Sequence, residues 1–259
     1  MNKTLLLTTI LSLTTITSAV AEGDFKFKQV DGVLELFTSQ GCSSCPPADA
    51  LMGVLKKKHP NKLMLTYGVT IWDRLGWKDR FATIKNDSRQ RNYSRYMGLR
   101  SIYTPQSVVD GRSDVVGSHN SKISTYLKKS HLKQNKYHVP MTIVEDDMKL
   151  KIKVGAAPSA LIDLKKDKHK MLDATLWLVK YRDVAQVNIE VGENAGRKIN
   201  YYNVVGDFTP LGMWEGKPRE FTVAFRDLKG TVGKLETNRF AFLLQLDGVG
   251  TIISALKTN

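Results

Sequence analysis

Short apolar stretches alternate with polar turns through the first half of the chain. Val33-Leu34-Glu35-Leu36-Phe37 is an apolar run around a single acid and predicts a buried strand. It ends in the polar turn Thr38-Ser39-Gln40-Gly41, and Cys42-Ser43-Ser44-Cys45-Pro46-Pro47 follows. Ala48, Leu51, Met52 and Leu55 then recur at helical spacing. The two prolines suit the first turn of that helix, where their missing N–H groups would have had no intrahelical partner. Lys56-Lys57-Lys58 places positive charge at its C-terminal, electronegative end. Leu63 to Val69 reads as a second strand.

Residues 71–98 look like an insertion. They carry Trp72-Asp73-Arg74-Leu75-Gly76-Trp77 and then a basic helical stretch with Tyr93, Tyr96 and Met97 on one face, stopped by Gly98. Gln106–Val109 and Asp114–Val116 flank Asp110-Gly111, the dipeptide of a tight hairpin. Ile123, Tyr126 and Leu127 give a closing helix its apolar face. From about Val139 the period changes to two. Lys149-Leu150-Lys151-Ile152-Lys153-Val154 alternates strictly, as a half-exposed antiparallel strand does. Further strands are predicted at Met141–Val144, Ala174–Tyr181, Val187–Val191, Phe221–Phe225, Phe240–Leu246 and Thr251–Leu256. No strong helix stands among them, and Lys165-Lys166-Asp167-Lys168-His169-Lys170 reads as a solvated loop. The pattern predicts an α+β protein: an α/β domain over residues 22–138 with a helical insertion, then a separate all-β, sandwich-like module over 139–259.

Composition narrows the class. With 42% hydrophobic and 25% charged residues the chain is neither disordered nor collagenous. Met1–Ala21 has one charge, Lys3, an uncharged run from Leu5 to Val20 and the small-x-small sequence Ala19-Val20-Ala21. This reads as a secretory signal peptide, which implies a periplasmic or secreted protein with no membrane span after cleavage. Lys and Arg number 39 against 25 Asp and Glu, a formal charge of +14. Arg89, Arg91, Arg95 and Arg100, interleaved with Tyr93 and Tyr96, form a basic band. Without a nucleic-acid-binding motif, and with an export signal, a solvated face is the expectation and no specific nucleic acid is expected as a partner. No Gly-rich phosphate loop or nucleophilic serine motif is present.

Two cysteines fall short of a structural zinc site on their own and cannot build a disulfide scaffold. His59, His119, His131, His138 and His169 have no ligand spacing to the pair, so neither metal nor cofactor is expected. Two readings of the C-x-x-C remain: an inert disulfide, or a reactive pair at a helix start. In the second, unpaired N–H groups and the helix dipole stabilise the Cys42 thiolate as nucleophile, and Cys45 resolves the mixed disulfide. Tyr103-Thr104-Pro105, directly before the Gln106–Val109 strand, would shape a groove beside the sulfurs if the Thr104–Pro105 bond were cis.

A strand, C-x-x-C and helix, then Thr-Pro before a hairpin and a terminal helix, resemble the thioredoxin superfamily, and Val33–Phe37 is similar to the opening of DsbA-type oxidoreductases. The stretch from Leu34 to Leu51 more closely resembles a family of secreted bacterial thioredoxin-like proteins, domain of unknown function 1223. Trp72-Asp73-Arg74-Leu75-Gly76-Trp77-Lys78-Asp79, Tyr103-Thr104-Pro105-Gln106, Val109-Asp110-Gly111-Arg112 and Gly192-Glu193-Asn194-Ala195-Gly196-Arg197 match it as well. The resemblance implies a thioredoxin-like fold, secretion and thiol chemistry. It also implies that a buried acid on the first strand, Glu35, moves protons for the resolving cysteine; a polar-face glutamate is the competing reading. Trp72 and Trp77 are core anchors or walls of the thiol groove. Two departures stand out: Gly68 and Thr70 replace a His and an Asp usual in the family, and one extra residue separates the strand from Cys42 relative to DsbA-type sequences. The sequence as a whole points to thiol–disulfide exchange with protein thiols or disulfides through Cys42, Cys45, Thr104, Pro105 and Glu35, reset by a separate redox partner. The rival reading is a redox-inert binding protein, with thiolate copper handling behind it.

Overall fold

The structure is a computed structural model and describes residues 25–167, 172–228, 231–232, 235–236 and 239–259. The expected signal peptide and Lys168-His169-Lys170 lie outside the described residues. In chain order the elements are strands β1 (Phe27–Gln29) and β2 (Val33–Thr38), helix α1 (Pro46–Lys58), strand β3 (Leu63–Gly68), helix α2 (Ile84–Tyr96), the hairpin β4 (Gln106–Val109) and β5 (Ser113–Val116), and helix α3 (Asn120–Lys129). There follow β6 (Met141–Asp146), β7 (Lys149–Val154), α4 (Ser159–Asp167), β8 (Ala174–Asn188), β9 (Lys198–Trp214), β10 (Arg219–Ala224), α5 (Phe225–Leu228), the short β11 (Thr231–Val232) and β12 (Leu235–Glu236), then β13 (Arg239–Leu246) and β14 (Ile252–Thr258). No helix among the described residues is long and apolar enough to cross a membrane.

These strands correct the expected fold class. A mixed nine-stranded sheet in the order β1-β14-β13-β8-β9-β3-β2-β4-β5 dominates a mostly β molecule. It is not a thioredoxin-like α/β domain with a helical insertion followed by a β sandwich. The join is a parallel contact of β3 with β9, at Thr66 and Val204. Side chains complete this seam: Thr66 Oγ1 donates to the Tyr202 carbonyl and Asn203 Nδ2 to the Met64 carbonyl, each at 2.7 Å. Strand β8 includes the predicted Ala174–Tyr181 but runs on unbroken to Asn188, and strand β9 escaped the sequence pattern. Gly206, Pro210 and Gly212 break the alternation in β9, and register shifts at Leu176/Trp177 and Lys180/Tyr181 break its partner. The strictly alternating Lys149–Val154 does form a half-exposed strand, at the centre of a separate three-stranded sheet β10-β7-β6. Helix α4 lies where no helix was expected.

Strands β2 and β3 bury both faces. Leu34 and Leu36 on β2 pack against Ala48, Met52 and Leu55 of α1. Val33 and Phe37, on the opposite face, join Tyr67, Tyr93 and residues of β8, β9 and β13. Glu35 lies on that second face, wholly buried. Its Oε1 accepts from Arg89 Nε at 2.7 Å and its Oε2 accepts from the Tyr93 hydroxyl. Arg89 Nη2 also donates to Tyr93 Oη and to Gln245 Oε1, each at 3.1 Å, and Gln245 Nε2 donates to Tyr93 Oη at 2.8 Å. One network thus ties β2, α2 and β13. The basic band expected on a solvated face is therefore split: Arg89 turns inward, and Arg95 and Arg100 stay exposed. Amphipathic periodicity could not show this, because the buried face of α2 is polar: Asn86, Asp87, Arg89, Gln90, Tyr93 and Ser94.

Breaking such a pair strands a buried charge, whereas replacing both partners does not. Arg89→Met is expected to lower unfolding free energy by about 3–5 kcal/mol in urea titrations. The double variant Glu35→Gln/Arg89→Met should recover part of that loss. A single-variant cost below about 1 kcal/mol, the range of exposed pairs, would contradict the assignment.

Candidate functional site

Strand β2 ends at Thr38, and the loop Ser39–Ser44 carries the chain to α1. Cys42 and Cys45 form a disulfide with Cα atoms 5.4 Å apart. Cys45 is the residue before the helix, and its carbonyl accepts from Ala48 N at 2.8 Å and Asp49 N at 3.1 Å. The two prolines open α1 as expected.

The loop is held by side chains far away in sequence. Gln40 N donates to Asp79 Oδ2 at 2.8 Å, and Gln40 Oε1 accepts from Trp77 Nε1 at 2.9 Å. Asn194 Nδ2 donates to the carbonyls of Gln40 and Cys42, at 2.9 and 2.8 Å. Glu193 Oε2 accepts from Ser43 N at 3.2 Å. At Gly41 a Cβ would stand 3.1 Å from the Trp72 carbonyl, so a larger residue would push the loop off its support. The Trp72–Asp79 and Gly192–Arg197 segments, singled out by sequence and more than a hundred residues apart, thus meet around the cysteine loop. Trp77 is a core residue that also holds Gln40, and Trp72 stands at the sulfur side.

Around Cys42 the polar contacts are short. Trp72 Nε1 donates to Thr104 Oγ1 at 2.6 Å, and Thr104 Oγ1 donates to Cys42 Sγ at 3.2 Å. Ser44 Oγ lies 3.3 Å from the same sulfur and must be the donor, since a disulfide sulfur carries no hydrogen. The Thr104–Pro105 bond is cis, and Pro105 is buried beside Gly117 and Ala48. Cys42 is 3% exposed and Cys45 not at all, while Ser43 and Ser44 between them are exposed.

Of the residues named from sequence, Cys42, Cys45, Thr104 and Pro105 come together. Glu35 does not join them: it faces α2, on the opposite side of β2 from α1. Two carboxyls that sequence reasoning passed over do. Asp49 lies one turn beyond Cys45, buried, with Oδ1 accepting from Thr38 Oγ1 at 2.7 Å and Oδ2 without a hydrogen-bond partner among the described residues. Burial, against the pull of the Thr38 hydrogen bond, holds its carboxyl well above the usual range, and the nearby Asp79 adds to this. Asp79 is pushed up to about 7 by burial, against the pull of backbone donors from Gln40, Phe81 and Ala82. Tyr201 approaches both, and its hydroxyl has no hydrogen-bond partner among the described residues. Asp79 was legible as the last residue of the first tryptophan segment; Asp49, in the turn after the cysteines, carried no separate signal.

The replacements at Gly68 and Thr70 are absorbed by packing. A Cβ at Gly68 would stand 2.9 Å from Ala82 N, so this backbone has no room for an imidazole there. Thr70 takes its place in the fold through Asp87, whose Oδ1 accepts from Thr70 N at 2.9 Å. No cluster of three or more His, Cys, Asp or Glu with the geometry of a metal site occurs among the described residues.

Residues 33–245 match the family described as protein of unknown function (DUF1223). The chain belongs to that family. Among solved structures, this DUF1223 member is similar to protein AGR_C_4864 from Agrobacterium tumefaciens, with 27% identity and a TM-score of 0.69 over 89% of this chain and 95% of that one. It also shares its fold with HBP35 of Porphyromonas gingivalis, at 13% identity and a TM-score of 0.52 over 90% of this chain and 75% of that one. No curated protein matches it.

The Asp79 shift fixes a sign. Its folded value, about 7, lies above the ordinary 3.8, so the native state binds more protons than the unfolded chain between those values. The stability this group contributes is full below pH 3.8 and is lost as pH rises through about 7. Unfolding free energy measured from pH 4 to 8 should therefore decline more steeply in the native protein than in Asp79→Asn. Parallel slopes would show that Asp79 ionises normally.

Proposed function

We propose that this DUF1223 member exchanges thiols and disulfides with other proteins through Cys42 and Cys45. The observation that carries the reading is the hydrogen bonding at one sulfur. Thr104 and Ser44 both donate to Cys42 Sγ, and the same donors would stabilise a thiolate there once the pair is reduced. The reduced Cys42 thiolate would attack a substrate disulfide. One substrate sulfur bonds to Cys42, and the other leaves with the electron pair and takes a proton from solvent. The Cys45 thiolate then attacks Cys42 Sγ, which restores the internal disulfide and releases the second substrate sulfur as a thiol. Run backwards, the same steps oxidise a dithiol, and a separate redox partner resets the pair in either direction.

Because Cys45 is wholly buried, its proton needs an internal acceptor. Asp49 supplies one, on the inward face of the same helix with a carboxyl oxygen unengaged among the described residues. A carboxyl held far above its usual range stands nearer a thiol in proton affinity, which favours transfer between them. In this reading Asp49 takes the part that the resemblance gave to Glu35. We also take the chain to be exported on the strength of Met1–Ala21, which would place the pair where disulfides persist.

The 3% exposure of Cys42 favours a second reading, a closed disulfide that only fastens the start of α1. Reactivity separates the two. In the exchange reading, reduced Cys42 is alkylated by iodoacetamide with an apparent pKa below the ~8.5 of a free thiol, Cys45→Ala accumulates mixed disulfides with other proteins, and Asp49→Asn slows their resolution most near neutral pH. A native disulfide that dithiothreitol does not reduce, or a Cys42 that titrates as a free thiol, leaves the structural reading.

A further inference from the structure

The far end of the sheet from β1 is open. Among the described residues strand β5 pairs only with β4, in the register Gln106↔Val116 to Val109↔Ser113. Gly117 N donates to the Pro105 carbonyl at 2.8 Å, one step further along the same register. Antiparallel bonding alternates, so Val115 and Ser113 are the residues bonded to β4, and the backbone of Asp114 and Val116 turns to the open side. The Val116 carbonyl accepts from His119 N at 2.9 Å. Both backbone groups of Asp114 and the N–H of Val116 have no backbone partner among the described residues, and they are spaced as an added strand requires.

Beside this edge, between β5 and α3, lies a cleft of about 570 Å³. Its rim is basic: Lys122 and Lys129, seven apart on α3, with His119 at the helix start. Neither lysine has an ion-pair partner among the described residues. The single acid in the lining, Asp114, is already occupied. It accepts from the Tyr103 hydroxyl at 2.9 Å and from Gln106 Nε2 at 2.6 Å. Tyr103 joins the cleft to the thiol site, because the next residue, Thr104, touches Cys42 Sγ. The register adds direction. Phe37 faces Gln106 and Gln106 faces Val116, so the Val116 end of the edge lies at the same end of the sheet as the cysteine loop. A strand added to β5 would run three inter-strand spacings from β2, ~14 Å in all, which four or five extended residues span.

We propose that the open β5 edge and its basic cleft receive an extended acidic segment of a partner protein, paired as an added strand, and that this segment delivers a neighbouring cysteine to Cys42. The delivery rests on the thiol-exchange reading; the docking does not. The partner contributes backbone groups to Asp114 and Val116 and carboxylates to Lys122 and Lys129.

The test uses Cys45→Ala protein and two peptide probes, each a ten-residue extended sequence with an activated cysteine disulfide, alternate positions being glutamate in one and lysine in the other. The glutamate probe should form the mixed disulfide about tenfold faster or more at low salt, with the advantage shrinking as salt is added. Lys122→Glu/Lys129→Glu, both exposed positions, should abolish or invert that preference while leaving the rate with 2-hydroxyethyl disulfide unchanged. Val116→Pro removes an outward N–H without touching the bonds to β4, and should slow the glutamate probe alone. Equal rates for the two probes, or a preference that survives the double reversal, overturn the proposal. If 2-hydroxyethyl disulfide does not react with Cys42, the thiol reading has failed independently. Fluorescence anisotropy of a cysteine-free glutamate peptide on the oxidised protein then decides the docking: binding lost in the double reversal upholds it, and no binding overturns it.

Discussion

A carboxylate wholly enclosed by protein must be paired, and meeting that demand at Glu35 organises much of this molecule. Its partner Arg89 comes from α2, and the remaining donors and acceptors are closed by Tyr93 and by Gln245 of β13. The pair therefore does more than neutralise a charge: it places the polar face of α2 against β2 and locks β13 to both. Arg89 also lies over the rings of Tyr67, Tyr93, Trp177 and Phe208, so the guanidinium is surrounded by aromatic faces wherever it is not hydrogen-bonded. A buried ion pair is a poor source of net stability but a strict one for geometry, since few alternative arrangements satisfy it.

The cysteine loop follows the same rule with different chemistry. Seven residues between a buried strand and a half-buried helix carry backbone groups that the ladder of neither element can use. Asp79, Asn194 and Glu193 take them up, and Trp77 holds the Gln40 side chain. The support comes from one segment before β4 and another after β8, so the loop keeps its shape only when the two parts of the chain are joined. What the support leaves over is equally informative. Asp49 and its neighbour Tyr201 keep buried polar atoms without partners among the described residues, a concentration of unspent hydrogen-bonding capacity that a purely structural clip does not require.

Local elements were readable where side-chain pattern and environment agree. Strand β2, helix α1, the Asp110-Gly111 hairpin and the alternating Lys149–Val154 each present the period that their surroundings demand. At the hairpin both central residues have positive φ, 50° and 69°, and a Cβ on Gly111 would lie 2.2 Å from the Gly250 carbonyl, so the glycine serves turn and contact together. The global arrangement was not readable, for three physical reasons. The join of β3 to β9 depends on backbone bonding, which leaves no mark on side-chain order. Helix α2 buries polar residues whose partners lie up to 156 positions away. Strand β9 tolerates Pro210 and glycines because a shifted register relieves them. In the site, the cysteines, Thr104 and Pro105 were legible from motif spacing, whereas the choice between Glu35 and Asp49 rests on which face of β2 meets α1.

Among the described residues strand β1 has a single neighbour, β14, with Phe27 opposite Thr258 and Gln29 opposite Leu256. Val30 N likewise donates to the Ala255 carbonyl, and Ile252 N to that of Asp110. The earliest described segment to leave the ribosome therefore has nothing to pair with until the last has emerged. Synthesis proceeds in one direction, and here the sheet closes against that direction: its outermost seam is sewn last, from chain separated by more than two hundred residues. For that interval β1 is an unpaired strand, a condition in which chaperones that hold extended polypeptide have a defined object to hold.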